Sequence, residues 1–186
     1  GGRVSASEVL DLVTLEPIQH RFSIAPDDVD TLGAWVSDAG IRWGIDAHHR
    51  QRHGQPALAE NTWEFGLSRL FLGYAMPGRG SATFADVLPY DEIEGASAQL
   101  LGRFADLCRR LFALVRSLEA PRSPRAWQQA LGEVIDDLLV DPDEASQWDV
   151  QPLRTALDTI ATEAEQAEFE APLELEAILE LVDGRL

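Results

Sequence analysis

The sequence predicts an all-α fold, an irregular bundle of about eight helices around a central apolar helix at 61–76. Three observations support this fold class. Apolar residues recur at spacings of three and four along most of the chain, and residues typical of helix N-caps precede several of these stretches. No segment alternates apolar and polar residues in the way that a half-buried strand requires.

The first two helices are predicted from a capping box and from prolines. Ser5 and Glu8 have the spacing of a capping box, ahead of an apolar stretch that begins at Val9. We expect Pro17 to end that helix, because proline cannot donate an intrahelical hydrogen bond. Pro26 can occupy the first turn of the next helix.

The third short helix is bounded by turn and capping signals. Gly40 is expected to end the preceding helix in a left-handed conformation, with Ile41 making the apolar contact of a Schellman turn. Asp46 is a candidate N-cap, and Gly54 is the expected end. The segment 40–46 is therefore a short connector between two helices.

The segment 61–76 is the most apolar helix in the sequence. Asn61 and Glu64 are its predicted caps. It has two apolar stripes, so we expect other helices to cover it on several sides. The first stripe is Trp63, Leu67, Leu70, Phe71 and Tyr74. The second is Phe65, Leu72 and Met76. Gly66 and Gly73 each cost about 1 kcal/mol inside a helix relative to alanine, so another backbone is expected to approach closely.

The rest of the chain is also helical in pattern. A loop is predicted at 77–83 and a turn at 88–95, followed by a helix over 97–118. Ser123 and Pro124 predict the start of the next helix, and a capped start follows at 141–144. Pro152 kinks or restarts that helix, and the last one runs from about Pro172 to Gly184. We predict a single domain over 1–186, with 120–186 as a candidate sub-lobe.

Composition excludes several classes of function. All 15 basic residues are arginine, so a P-loop, a Schiff-base lysine and a Ser-x-x-Lys nucleophile are excluded. The net charge is −17, and residues 132–186 carry 16 acidic residues against two arginines, which disfavours phosphate backbones there. No apolar run reaches the roughly 18–20 residues of a membrane span. The lone Cys108 fits a cytoplasmic location, and its apolar stripe indicates an inert thiol.

Metal-dependent chemistry has weak support. His49 and His53 have the i, i+4 spacing that can place two imidazoles on one metal ion. No third ligand is evident nearby, so a solvated polar helix is the preferred interpretation, with a metal hydrolase as an alternative. Acidic pairs such as Asp136–Asp137 are interpreted as surface residues.

A basic face is the other candidate site. Arginines recur on the outward face of the 97–118 helix, and the 40–46 connector adds an arginine and a tryptophan. A solvated face is the simpler interpretation; a surface for phosphate or for an acidic partner is the alternative, because guanidinium groups make bidentate contacts. For the tryptophan, packing the connector down is favoured over stacking on a base. The candidate contact residues are Arg42, Trp43, Arg103, Arg109, Arg110 and Arg116.

Four strings of this sequence resemble consecutive segments of the RecC family, the γ subunit of exodeoxyribonuclease V, in the same order. They are SEVLDLVTLEPIQHRFSI (7–24), GIRWGID (40–46), NTWEFGLSRLFLGYAM (61–76) and LPYDEIEG (88–95). The resemblance covers about residues 5–115. It implies the helical insert of an inactivated helicase, similar to helicase subdomain 2B. Since the chain begins Gly1-Gly2-Arg3 without an initiator methionine, we expect an excised domain.

The resemblance also implies the function. RecC acts with the RecB helicase–nuclease and the RecD helicase, in a cytoplasmic complex that processes DNA double-strand breaks for recombination. The family supplies no catalytic residue and no cofactor on the matched strings, so we expect a non-catalytic scaffold or DNA-handling domain, with RecB-like and RecD-like partners through the parent chain. The alternative is a stand-alone adaptor whose acidic C-terminal helices bind a basic protein.

Overall fold

The computed structural model describes residues 2–75, 97–140 and 148–186, and within these ranges the regular structure is helical. This confirms the predicted all-α class. The helices are α1 (Ala6–Val13), α2 (Glu16–Arg21), α3 (Asp28–Asp38), α4 (Ala47–Arg52), α5 (Trp63–Ala75), α6 (Ser97–Ser117), α7 (Pro124–Leu138), α8 (Gln151–Gln166) and α9 (Leu175–Asp183). The predicted loop at 77–83, the turn at 88–95 and the helix start at 141–144 lie outside the described residues.

The chain forms two compact units, Gly1–Cys108 and Arg109–Leu186, and the division falls within α6. The predicted single domain over 1–186, with a sub-lobe at 120–186, stays a prediction, because compactness alone does not test independent folding. None of the described helices is long and apolar enough to cross a membrane.

In the first unit, α1 packs against α2 and α3. The capping box is confirmed: the Ser5 hydroxyl accepts from the Glu8 backbone N–H at 3.3 Å, and the Ser5 N–H donates to Glu8 Oε2 at 2.6 Å. The role predicted for Pro17 was incomplete. Helix α1 ends at Val13, and Pro17 lies in the first turn of α2, where its missing N–H costs nothing.

The turn after α3 is the predicted Schellman motif. Gly40 has φ +75°. The Ile41 N–H donates to Val36 O and the Gly40 N–H to Ser37 O, both at 3.0 Å. The N-cap of α4 is also confirmed, since Asp46 Oδ1 accepts from the His49 N–H at 2.6 Å.

The buried residues of α5 lie on one face, and Phe65 and Leu72 of the second predicted stripe are half-buried. Trp63, Gly66, Leu70 and Gly73 are buried. Phe71 and Tyr74, predicted to lie in the core stripe, are 43% and 47% exposed. The predicted stripe therefore included residues that lie outside the face covered by the rest of the chain. Met76 lies outside the described residues.

The start of α5 also differs from the predicted start. Asn61 has φ +62°, and the Thr62 hydroxyl accepts from the Phe65 N–H at 3.3 Å, so Thr62 rather than Asn61 supplies the capping side chain. Gly66 does permit a close approach, but the neighbour is a side chain. A Cβ on Gly66 would lie 2.1 Å from Ile41 Cγ1.

In the second unit, α8 packs against α7 and α9. Ser123 caps α7 as predicted, with its hydroxyl accepting from the Ala126 N–H at 3.3 Å, and Pro152 lies in the first turn of α8. Arg122 and Leu173 form an isolated antiparallel bridge. The buried core residues are Trp127, Ala130, Ile135, Ala156, Leu157, Ile160, Ile178 and Val182.

Candidate functional site

The 40–46 connector is fixed mainly by its backbone. The Arg42 N–H donates to Asn61 O at 3.0 Å, and the Arg42 carbonyl accepts from the Ala6 N–H at 2.9 Å. The connector therefore joins the start of α1 to the residue before the α5 cap. The Arg42 side chain is exposed, while the Trp43 side chain is half-buried.

Cations and a histidine surround Trp43. The guanidinium carbon of Arg50 lies over the indole at 4.8 Å from the ring centroid, and that of Arg3 at 5.8 Å. His53 meets the same ring edge-on, with centroids 6.5 Å apart. These contacts hold Trp43 as part of the connector's packing and leave only part of its ring surface accessible.

Arg50 is the central polar residue of this region, and the sequence did not identify it. It is 8% exposed. Its Nη2 donates to Trp43 O at 3.1 Å and its Nη1 to Glu60 O at 2.8 Å. A Cβ on Gly44, which has φ +82°, would lie 2.9 Å from Arg50 Cγ. Arg50 therefore ties the connector to the segment before α5.

The interpretation of 47–54 as a solvated polar helix was wrong for its middle, since His49 is 1% exposed and Arg50 is also buried. The burial of Arg50 depends on backbone carbonyls up to ten residues away, which a local sequence pattern does not reveal. The rings of His49 and His53 lie 4.5 Å apart, and His53 Nδ1 is 2.9 Å from His49 O. Within the described ranges, no group of three His, Cys, Asp or Glu residues is arranged to hold a metal ion.

Trp63 completes the cluster that we call the connector hub: Val4, Trp43, Gly44, Arg50 and Trp63. Its side chain is fully buried, and its Nε1 donates to Val4 O at 3.0 Å. Its backbone N–H donates to Gly44 O at 3.0 Å. The hub joins the N-terminal segment, the connector and α5 by hydrogen bonds to backbone carbonyls, which suits a rigid structural joint.

The six candidate contact residues do not form one cluster within a single unit. Arg42, Trp43 and Arg103 belong to the first unit, and Arg109, Arg110 and Arg116 to the second. Arg103 is exposed, and its Nη1 donates to Ser23 O at 2.9 Å.

The three candidate arginines of the second unit differ in position and exposure. Arg109 and Arg116 are exposed and lie seven residues apart, on one side of α6. Arg110 is half-buried and pairs with Asp137 at 3.5 Å.

The second unit is strongly acidic. Residues 109–186 hold 17 acidic residues and seven arginines. Arg154 pairs with Asp136 and Arg185 with Glu163, each at 2.5 Å, so part of the positive charge is already compensated. This unit disfavours close approach of a phosphate backbone over most of its surface.

Glu8 and Cys108 have displaced pKa values. Hydrogen bonds from the Ser5 backbone and then the Ser5 side chain lower the pKa of Glu8. Burial raises the pKa of the Cys108 thiol. Cys108 is fully buried, and a thiol without thiolate character is a poor nucleophile.

Comparison with known proteins places the chain in a family. The profile described as "RecBCD enzyme subunit RecC fourth domain" matches residues 1–186. Over 185 residues the chain is 36% identical to "RecBCD enzyme subunit RecC" of Mycobacterium tuberculosis H37Rv, covering 99% of this chain and 16% of that protein.

Two other relatives carry the same name. The protein of Mycolicibacterium smegmatis is 41% identical over 144 residues, covering 77% of this chain and 13% of that protein. The protein of Escherichia coli K12 is 38% identical over 125 residues, covering 67% of this chain and 11% of that protein. The chain thus spans only a small part of the length of these relatives, and it belongs to the RecC family, in the region described as the fourth domain.

Proposed function

We propose that this chain is a non-catalytic structural domain of a RecC-like subunit, within a cytoplasmic complex that processes DNA double-strand breaks. The observation that carries the proposal is the match of residues 1–186 to the RecC fourth-domain family. The relatives are named as subunits of the RecBCD enzyme, so RecB-like and RecD-like subunits are the proposed partners. The parent complex would supply the helicase and nuclease activities of exodeoxyribonuclease V.

The use of buried polar groups supports a structural role. Arg50 directs its donors at the backbone carbonyls of Trp43 and Glu60, and Trp63 directs its indole N–H at Val4. A side chain engaged in this way holds the chain in place and is not available to a substrate. A domain of this kind acts by presenting fixed surfaces to DNA or to neighbouring subunits.

The six arginine and tryptophan candidates remain proposed contacts. Arg42, Arg109 and Arg116 have exposed side chains that can reach a partner or a phosphate. Because the chain carries a net charge of −17, we expect the isolated chain to bind DNA weakly and only at low salt.

The decisive experiment uses the full-length parent subunit. In one version, the segment that corresponds to this chain is replaced by a short flexible linker. This version is mixed with its RecB-like and RecD-like subunits. Assembly is measured by pull-down, and activity is measured as unwinding from a duplex end. We expect loss of assembly or of unwinding.

A matched pair of point variants controls for the size of the deletion. Trp63→Ala in the parent disrupts the connector hub, whereas Phe71→Ala changes a side chain that is 43% exposed. The proposal predicts impaired assembly or unwinding for Trp63→Ala and a smaller effect for Phe71→Ala. Full assembly and normal unwinding by the linker version would refute the structural role.

A further inference from the structure

A surface cleft in the first unit has no role in the connector hub. It has a volume of about 500 Å³ and lies where the end of α2 faces the first half of α6. Its polar and glycine lining is Arg21, Ser23, Gln99, Gly102, Arg103 and Asp106, and Phe22 completes it. Two guanidinium groups thus share one small cleft with a hydroxyl and a carboxamide.

Arg103 is held at this cleft by one of its five N–H donors. Its Nη1 donates to Ser23 O at 2.9 Å, and its other donors have no hydrogen bond to the described residues, so they can serve a ligand. Ser23 has φ +50°, an unfavourable conformation for a serine that aims its carbonyl at Arg103. The guanidinium is therefore positioned before any ligand arrives.

One N–H donor of Arg21 is left unsatisfied among the described residues. Its guanidinium carbon lies 5.6 Å from the centroid of the Phe22 ring, and its Nε is buried without a hydrogen-bond partner among the described residues. A buried donor without an acceptor costs free energy, and a shift of the Arg21 side chain toward the cleft would let a ligand oxygen satisfy it. Arg110, Arg154 and Arg185 of the second unit, in contrast, each pair with a carboxylate.

The chemistry of the lining selects an anion with several oxygens. Two guanidinium groups, the Ser23 hydroxyl and the Gln99 amide offer donors, and Asp106 is the one carboxylate of the lining. The space beside Gly102 is open, since a Cβ there would meet nothing within 4 Å. Planar guanidinium groups match the oxygens of a phosphate in a bidentate way.

We propose that Arg21 and Arg103 form a phosphate-binding cleft that holds one backbone phosphate of DNA. The choice of DNA rests on the proposed function as a domain of a DNA-processing subunit. The cleft is a local exception on an acidic chain, so one phosphate contact steers a duplex without binding it tightly.

Anisotropy of a labelled short DNA duplex with the 186-residue chain, over a salt series, tests the cleft. We expect Arg21→Gln and Arg103→Gln each to weaken binding about tenfold and to reduce the log–log salt slope by about 0.9. Arg103→Lys should keep the slope but lose affinity, because lysine keeps the charge without the fork. Asp106→Asn should strengthen binding.

Two pairs of matched variants separate the cleft from general electrostatics. Arg52→Gln removes the same charge from an exposed residue outside the cleft and should have a smaller effect. Gly102→Leu fills the cleft without changing charge and should abolish binding, whereas Gly132→Leu, also at a helical glycine with open space, should not. Circular dichroism establishes that each variant is folded.

The competing outcomes are distinct. The phosphate-binding proposal would be overturned if the wild-type chain did not bind the duplex at low salt, or if Arg52→Gln reduced the affinity as much as the cleft variants do. It would also be overturned if an acidic peptide, rather than inorganic phosphate, displaced the duplex. A shift of the Arg21 Nε–H resonance on adding inorganic phosphate would support it directly. Failure here leaves the assembly test of the parent subunit unaffected, so the two proposals can fail separately.

Discussion

The indole Nε1 of Trp63 donates a hydrogen bond to the backbone carbonyl of Val4, 59 residues earlier in the chain, at 3.0 Å. The bond links the first residues of the chain to the start of α5. Since Trp63 is fully buried, its side chain contributes both packing and this bond.

We expect Trp63→Phe to lower the free energy of unfolding by about 1–3 kcal/mol, from the lost hydrogen bond and the smaller ring. Trp63→Ala should cost about 3–5 kcal/mol. Urea unfolding followed by circular dichroism measures both. The control, Phe71→Ala, changes a more exposed side chain and should cost about 0.5 kcal/mol or less. Equal losses for Trp63→Phe and Phe71→Ala would contradict the role given to the indole.

Arg50 stabilises the connector through backbone carbonyls. Arg50→Met keeps much of the side-chain volume but removes the donors to Trp43 O and Glu60 O. Because these bonds come from a charged group, we expect a loss of about 3 kcal/mol in unfolding free energy. Arg52→Gln, an exposed neighbour, is the control, with an expected change within about 0.5 kcal/mol. Equal stabilities for Arg50→Met and the wild type would rule out this role.

Gly66 is required by the side chain of Ile41. An alanine Cβ would lie 2.1 Å from Ile41 Cγ1 and 2.6 Å from Cδ1. We expect Gly66→Ala to cost about 1–3 kcal/mol through overpacking, despite alanine's better helix propensity. Thermal unfolding of a double-mutant cycle with Ile41→Ala checks the cause.

In that cycle, Ile41→Ala removes the clashing atoms, so the two substitutions together should cost less than the sum of their separate effects. Gly132→Ala, at a helical position with open space, should instead raise stability by up to about 1 kcal/mol. Strictly additive effects of Gly66→Ala and Ile41→Ala would argue against the close approach.

The capping box of α1 should make the free energy of unfolding depend on pH in the acidic range. Hydrogen bonds to Ser5 lower the pKa of Glu8 in the folded chain. The stabilisation that these hydrogen bonds give the folded chain is therefore fully present above the ordinary pKa of 4.5. It is lost as the pH falls through the lower pKa of Glu8 in the folded state. Unfolding free energies of the wild type and Glu8→Gln, measured from neutral to acidic pH, should converge as the pH falls. A constant difference across this range would be inconsistent with the shift.

Structural features that depend on residues close in sequence could be predicted, whereas those that depend on distant residues could not. The Ser5, Asp46 and Ser123 caps and the Gly40 turn each depend on residues within about five positions, and all four are confirmed. The burial of Arg50 and the exposure of Phe71 depend on which distant segments cover them. Periodicity marks a helix as apolar, but it does not say how much of its surface its neighbours cover.

The candidate site shows the same division. The sequence identified Arg103 as part of an arginine-rich face, but its position beside Arg21 in one cleft depends on α2 and α6 meeting in the fold. Trp43 was expected to be an anchor, and its contacts with Arg3 and Arg50 supply the structural basis. Neither arginine was linked to it by spacing alone.

Cys108 offers a direct test of the core of the first unit, because it is the single cysteine of the sequence. It is fully buried, and burial raises its pKa, so the folded thiol should not ionise in the range in which an ordinary cysteine does. Since the thiolate is the nucleophile, modification by a thiol reagent should require unfolding, and its rate should rise with urea in parallel with the unfolded fraction. As the pH rises above the ordinary thiol value, ionisation of the unfolded chain should also lower stability, an effect that Cys108→Ala removes. Rapid modification of the native chain at neutral pH would show that this part of α6 opens readily, contrary to its place in the core.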